Sequence, residues 1–168
     1  MRVIHEFYPV YDKNSRVLIL GSLPSVKSRE QCFYYGHPQN RFWKILAKIC
    51  NSPIPQSIND KKILCLENHI ALWDVIESCD ITGSSDSSIR DVRINNLGII
   101  FNECDLRAVF LNGNTAYRLF MNSGYKDFSP VFKLPSTSPA NAAWKFDRLF
   151  DEWSLIKHYL SISEKNSE

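Results

Sequence analysis

Arg16-Val-Leu-Ile-Leu-Gly21 is an apolar run of strand length with no polar alternation and a glycine at its end. A strand with one face in water alternates apolar and polar residues, so an unbroken run calls for cover on both faces. Similar runs occur at residues 70–76, 107–112 and 131–134. Helical periodicity lies between and around them. Phe42, Ile45, Leu46 and Ile49 fall at i, i+3, i+4 and i+7, and further helices are expected over 59–68 (with Asn59 as N-cap), 94–102, 115–121 and 144–160. Strands alternating with helices predict an α/β fold: a three-layer α/β/α sandwich around a short, mostly parallel four-stranded sheet. The Ser, Asp and Gly-rich stretch 77–88 is expected to be a mobile loop. At 168 residues and 44% hydrophobic, the chain closes one sizeable core and not two. The expectation is one domain over 1–163 and a disordered tail at 164–168.

Charge and cysteine usage exclude several classes. Twenty Lys and Arg against 18 Asp and Glu leave a formal net charge of +2, so any contact with nucleic acid must come from a local patch. Cys32, Cys50, Cys65, Cys79 and Cys104 form no C-x-x-C pair, and the four histidines are as widely scattered. No metal site is expected, nor any cofactor. The phosphate loop of nucleotide hydrolases, G-x-x-x-x-G-K-[ST], is missing too. With no signal peptide and no apolar stretch of membrane length, a cytoplasmic protein is expected.

In open α/β sheets, ligands gather beyond the carboxyl ends of the strands. Three such ends carry polar residues: 21–25 running on to Trp43, Asn112-Gly113-Asn114, and 134–141. From Phe33 to Trp43 the chain crowds aromatic rings around His37, Pro38, Asn40 and Arg41. That mixture suits the stacking of a flat heterocycle with polar groups at its edge. It also suits an aromatic lid in which Asn40 merely caps the following helix; the residues alone leave both readings open.

Gly21-Ser-Leu-Pro-Ser25 followed by Tyr34-Tyr-Gly-His-Pro-Gln-Asn-Arg-Phe-Trp43 resembles the N-terminal signature of the hypoxanthine-DNA glycosylase branch, family 6, of the uracil-DNA glycosylases. Residues 134–138 resemble the superfamily's serine-proline loop. The resemblance implies a metal-free, cofactor-free enzyme. It would hydrolyse the glycosidic bond of a deaminated base flipped from double-stranded DNA, hypoxanthine first, and act as a monomer. The first-motif seat that holds Asp or Asn in many relatives is Leu23 here, and the resemblance moves the catalytic role to Asn40. Leu134 stands where the first uracil family has His, which argues against strong uracil activity.

In this reading the backbone at Ser22 and Leu23 faces the departing base. Tyr34 and Tyr35 stack on it or pack in the core. Asn112 reads its edge or simply ends a turn. Ser136, Thr137, Ser138 and Asn141 meet the DNA, with Trp144 either a wedge or the first core residue of the last helix. Lys27, Arg29, Arg41 and Lys44 form a basic patch or a solvated face.

Overall fold

Strand β2 is buried along its whole length, as an uninterrupted Val-Leu-Ile-Leu-Gly segment requires. The computed structural model describes residues 1–5, 7–31, 33–82 and 85–161. In chain order the elements are β1 (Arg2–Ile4), β2 (Val17–Gly21), α1 (Val26–Gln31), α2 (Phe42–Ile49), α3 (Ile58–Glu67), β3 (Ile70–Asp74) and β4 (Ile76–Asp80). After a 3-10 turn at Asp86–Ser88 come β5 (Arg90–Ile94), α4 (Gly98–Glu103), β6 (Ala108–Asn112), α5 (Asn114–Met121), β7 (Val131–Leu134), α6 (Phe146–Trp153) and α7 (Leu155–Ser161). The expected tail at 164–168 lies outside the described residues.

The main sheet has the order β3-β2-β6-β7, and every pairing in it is parallel. From β2 the chain crosses to β3 on one side, whereas from β6 it crosses to β7 on the other. Right-handed crossovers in opposite directions place their helices on opposite faces, which makes three layers. The order reverses between β2 and β6, so a crevice opens beyond Gly21 and Asn112. The core beneath it is Val17, Leu18, Ile19 and Leu20 packed with Leu72, Phe110, Phe42 and Trp153.

Five details differ from the sequence reading. The run 70–76 is not one strand. β3 ends at Asp74, Val75 donates its N–H to the Gly21 carbonyl, and the chain enters a second, antiparallel sheet of order β1-β4-β5. Buried Asn95 fixes this exit, because its Nδ2 donates to the Asp74 and Ile76 carbonyls at 2.9 and 3.1 Å. The stretch 77–88 therefore holds β4 and the 3-10 turn among its described residues, with Gly83 and Ser84 outside them. Residue 94 ends a strand, and α4 begins only at Gly98. Ser57 rather than Asn59 caps α3, accepting the Asp60 N–H. The closing helix over 144–160 is two helices. At Ser154 the hydroxyl donates to the Phe150 carbonyl at 2.6 Å, a back-bond that bends a helix. α6 is held under the serine-proline loop by Trp153, whose indole N–H donates to the Pro135 carbonyl at 2.9 Å.

Among the described residues no helix is long and apolar enough to cross a membrane, and no group of three or more His, Cys, Asp or Glu is placed to hold a metal.

Candidate active site

The crevice floor begins at Gly21. A Cβ there would overlap Asp74 Oδ1 and come within 2.8 Å of the Tyr35 hydroxyl oxygen, so close approach of three segments demands glycine. Tyr35 reaches this point through a positive φ of 53°, a conformation costly for a bulky residue, about 1–3 kcal/mol. Its ring stacks on Phe42 with centroids 4.0 Å apart. Burial, and then the charge of Asp74, push its phenol far above the usual value. Tyr34 points the other way. It is 1% exposed and its hydroxyl donates to the Tyr8 carbonyl at 2.7 Å, so of the two tyrosines proposed as base contacts only Tyr35 borders the crevice.

The first loop is stapled to the aromatic segment. Ser25 caps α1 by accepting the Ser28 N–H, and Ser28 Oγ accepts the Gly36 N–H at 2.9 Å. Ser22 and Leu23 lie half-buried at the end of β2. Leu23 packs against the small cluster of Val3, Ile76, Cys79, Ile81 and Ile89, and a recess of about 240 Å³ lies beside it, lined also by His5, Phe7, Pro24 and Arg29.

Asn40 is half-buried, and its Oδ1 accepts the Phe42 N–H at 2.9 Å. This is an Asx turn one residue ahead of the N-cap, Arg41, through which Asn40 satisfies the first N–H of α2. It leaves the amide's second lone pair and both Nδ2 hydrogens for other work. The next residue ties Asn40 to the crevice, because the Arg41 N–H donates to the Thr137 carbonyl at 3.1 Å.

The sequence places Arg41 among DNA contacts; the structure gives it a different task. Its Nε donates to Thr137 O, its Nη1 to Trp144 O, and its Nη2 to Ser138 O and Asn141 O at 2.8 and 3.1 Å. The guanidinium clamps the loop from inside. Thr137 is likewise turned inward, at 0% exposure, so phosphate contact does not fit it. Its N–H donates to Asn112 Oδ1 and its Oγ1 accepts from Asn112 Nδ2, at 3.1 and 3.0 Å. That pairing occupies Asn112, whose amide oxygen and one Nδ2 hydrogen hold the loop instead of facing a base edge. Gly113, at φ 97°, lets the chain pass Ser136, whose Cβ stands 3.2 Å from where a glycine Cβ would be.

Ser136 and Ser138 are half-buried; they accept local N–H groups from Ser138 and Ala140 and keep hydroxyl hydrogens to donate. Asn141 donates Nδ2 to the Ser136 carbonyl at 3.0 Å. Trp144 lies outside α6 with Arg148 stacked over its ring at 3.7 Å. Lys27 is exposed and pairs with Glu30 at 3.4 Å.

Three residues of the crevice escape the sequence reading: Asp74, His5 and Asp86. Asp74 has a sequence signal, a charged residue inside an otherwise apolar run, where carboxylates are rare unless partnered. His5 has none, because 69 residues separate it from Asp74. Asp86 sits at the mouth, accepting from the Ser22 hydroxyl at 3.5 Å. Burial of its carboxyl raises its pKa above 3.8, with Thr115 and Ser22 opposing and Asp74 adding to the rise. The folded state thus holds the Asp86 proton more tightly than the unfolded chain, so this group lowers stability as pH rises through its raised pKa. The residue keeps an exposed surface, and screening keeps the effect small. Asp86→Asn is expected to melt slightly higher than wild type at pH 7, with the gain vanishing near pH 3.8; thermal melts across that range check it.

Fold and crevice together define an α/β protein with a polar cleft at a topological switch point. Residues 8–155 match the model of the uracil DNA glycosylase superfamily, and the chain belongs to that superfamily. It is 36% identical over 155 residues, 89% of this chain and 95% of the relative, to a protein of Methanosarcina acetivorans named hypoxanthine DNA glycosylase. A Methanosarcina barkeri protein of the same name is 41% identical over 110 residues, 64% of this chain and 69% of the relative. The solution NMR structure of a Methanosarcina acetivorans protein, provisionally described as a uracil DNA glycosylase, superposes with a TM-score of 0.77 at 33% identity. It covers 93% of this chain and 97% of that one.

Proposed function

We propose that this protein is a monofunctional DNA glycosylase that hydrolyses the N-glycosidic bond of hypoxanthine flipped from duplex DNA. The observation that supports the reading is the fixing of Asn40 by its own Asx turn beside Arg41, whose N–H bonds the Thr137 carbonyl of the serine-proline loop. Its relatives' names agree with it.

Flipping costs a few kcal/mol, less for a mispaired base. Once extruded, the base lies over Gly21, Ser22 and Leu23, with the Tyr35 hydroxyl at its edge. Cleavage builds positive charge on the sugar and negative charge on the departing base. Backbone N–H groups at Ser22 and Leu23 stabilise that anion in the manner of an oxyanion hole. An amide does not take up a proton near neutral pH, so Asn40 acts by holding the attacking water through its carbonyl oxygen. Lys27, Ser136, Ser138 and Asn141 meet the backbone of the double-stranded DNA. In this reading the protein acts as a monomer in the cytoplasm.

Duplexes carrying one hypoxanthine, uracil or xanthine, incubated without metal and then cleaved with alkali at abasic sites, test the reading. Hypoxanthine is expected to be released fastest. Faster uracil release would move the protein to another branch, and binding without release of any base would make it a silent damage binder.

A further inference from the structure

Asp74 ends β3 with its side chain 4% exposed, and the His5 side chain that meets it is 1% exposed. His5 Nδ1 accepts the Phe7 N–H at 3.2 Å. By that hydrogen-bond network the ring proton is assigned to Nε2, which donates to Asp74 Oδ2 at 2.7 Å. The ring is then the neutral tautomer and cancels none of the carboxylate's charge. A buried carboxylate with, among the described residues, a single neutral donor is a costly arrangement, and its other oxygen shows what the arrangement serves. Oδ1 is aimed at Gly21, the point on which the Tyr35 hydroxyl also converges. That hydroxyl is buried and has no hydrogen-bond partner among the described residues. Asn112 stands near enough to oppose the rise of its pKa without closing a bond of ordinary geometry.

An acceptor oxygen and an unpartnered hydroxyl, both facing the one position without a side chain, match a heterocycle edge with a ring N–H beside a carbonyl. We propose that Asp74, locked by His5, accepts the lactam N–H of the flipped base while Tyr35 donates to the adjacent carbonyl. This pair then selects a deaminated base over its amino parent. Hypoxanthine offers N1–H and O6. Adenine offers a bare N1 lone pair, which would face the carboxylate as acceptor against acceptor, the mismatch that sites built on hydrogen bonds reject most strongly. Uracil and cytosine differ in the same way at N3. Guanine has its own N1–H and is not turned away at this acceptor.

The inference rests on the glycosylase reading, and Asp74→Asn separates the two. His5 Nε2–H requires an acceptor, so the new amide turns its oxygen to His5 and its NH₂ to the crevice. The polarity reverses at nearly constant shape. Duplexes with the 2′-fluoro analogues of deoxyinosine and deoxyadenosine resist cleavage, so their affinities report recognition alone. Wild type is expected to favour the inosine duplex, and Asp74→Asn to lose about tenfold or more of that preference. A merely structural role would weaken both duplexes alike. Should Asp74→Asn fail to fold, as judged by melting, Tyr35→Phe serves; it leaves the buried pair intact and is expected to lower the same ratio severalfold. An unchanged ratio in the folded variant, with hypoxanthine still released by wild type, overturns the base-reading inference alone. Failure of wild type to release hypoxanthine overturns the glycosylase reading and this one with it.

Discussion

Asn40→Ala is expected to slow hypoxanthine release about 10²–10³-fold, the usual cost of removing one well-aimed catalytic group, equivalent to roughly 2.7–4 kcal/mol of transition-state stabilisation. The same substitution removes the oxygen that accepts the Phe42 N–H, and loss of such a cap costs about 0.5–2 kcal/mol of stability. Two roles on one side chain need two readouts. Asn40→Asp and Asn40→Ser both keep an oxygen able to hold the Phe42 N–H, so melting should return most of the way to wild type. Neither reproduces a neutral amide with an acceptor and two donors, and Asp adds charge to a site that binds a polyanion. Single-turnover release by these variants should therefore stay well below wild type although their stability recovers. If Asn40→Ser restores rate and melting together, Asn40 is a cap and the water must be held elsewhere.

Much of the fold is legible in the sequence because it rests on burial and periodicity. The segment Val17–Gly21 is apolar on both faces and occupies the centre of the sheet; Phe42–Ile49 repeats at helical spacing and forms a helix with those bounds. What escapes the sequence is decided by polar contacts between distant residues. The run from Ile70 onward reads as one strand because Val75 and Ile76 are as apolar as their predecessors. The break at Asp74 depends on the Asn95 amide, 21 residues away. The small antiparallel sheet is hidden for a related reason: Arg90–Ile94 buries no residue fully and shows only partial alternation.

The candidate site divides along the same line. The strand-end rule points to the correct loops, because it follows from topology alone. It does not say which way a side chain turns once there. Tyr34 and Tyr35 are adjacent and chemically identical, yet one donates to the Tyr8 carbonyl and the other, at positive φ, meets Gly21. Arg41 and Thr137 look like phosphate ligands by composition and are instead engaged with each other and with neighbouring carbonyls.

Arg41→Ala should therefore act through the loop rather than through the DNA. The guanidinium donates to four carbonyls, those of Thr137, Ser138, Asn141 and Trp144. Hydrogen bonds to a charged group are worth about 1.5–3 kcal/mol each, but these carbonyls are only part-buried and can turn partly to water, so the net loss is expected near 3 kcal/mol. For a domain of this size that is a fall of about 6–12 °C in melting temperature. Freed of its clamp, the segment bearing Ser136 and Ser138 must be reordered on each binding event. DNA affinity and hypoxanthine release should both drop, the latter about 10²-fold because small misplacements cost that much. Lysine cannot rescue the loss: a single ammonium with three donors has no planar fork to span four acceptors. Salt dependence separates this role from a phosphate contact. A residue that neutralises one phosphate lowers the slope of log affinity against log salt by about 1 when removed. A loop clamp leaves the slope as it was while lowering affinity at every salt concentration. Parallel salt titrations of wild type and Arg41→Ala are expected to give parallel lines; a shallower line for the variant, with melting unchanged, would return Arg41 to the DNA interface.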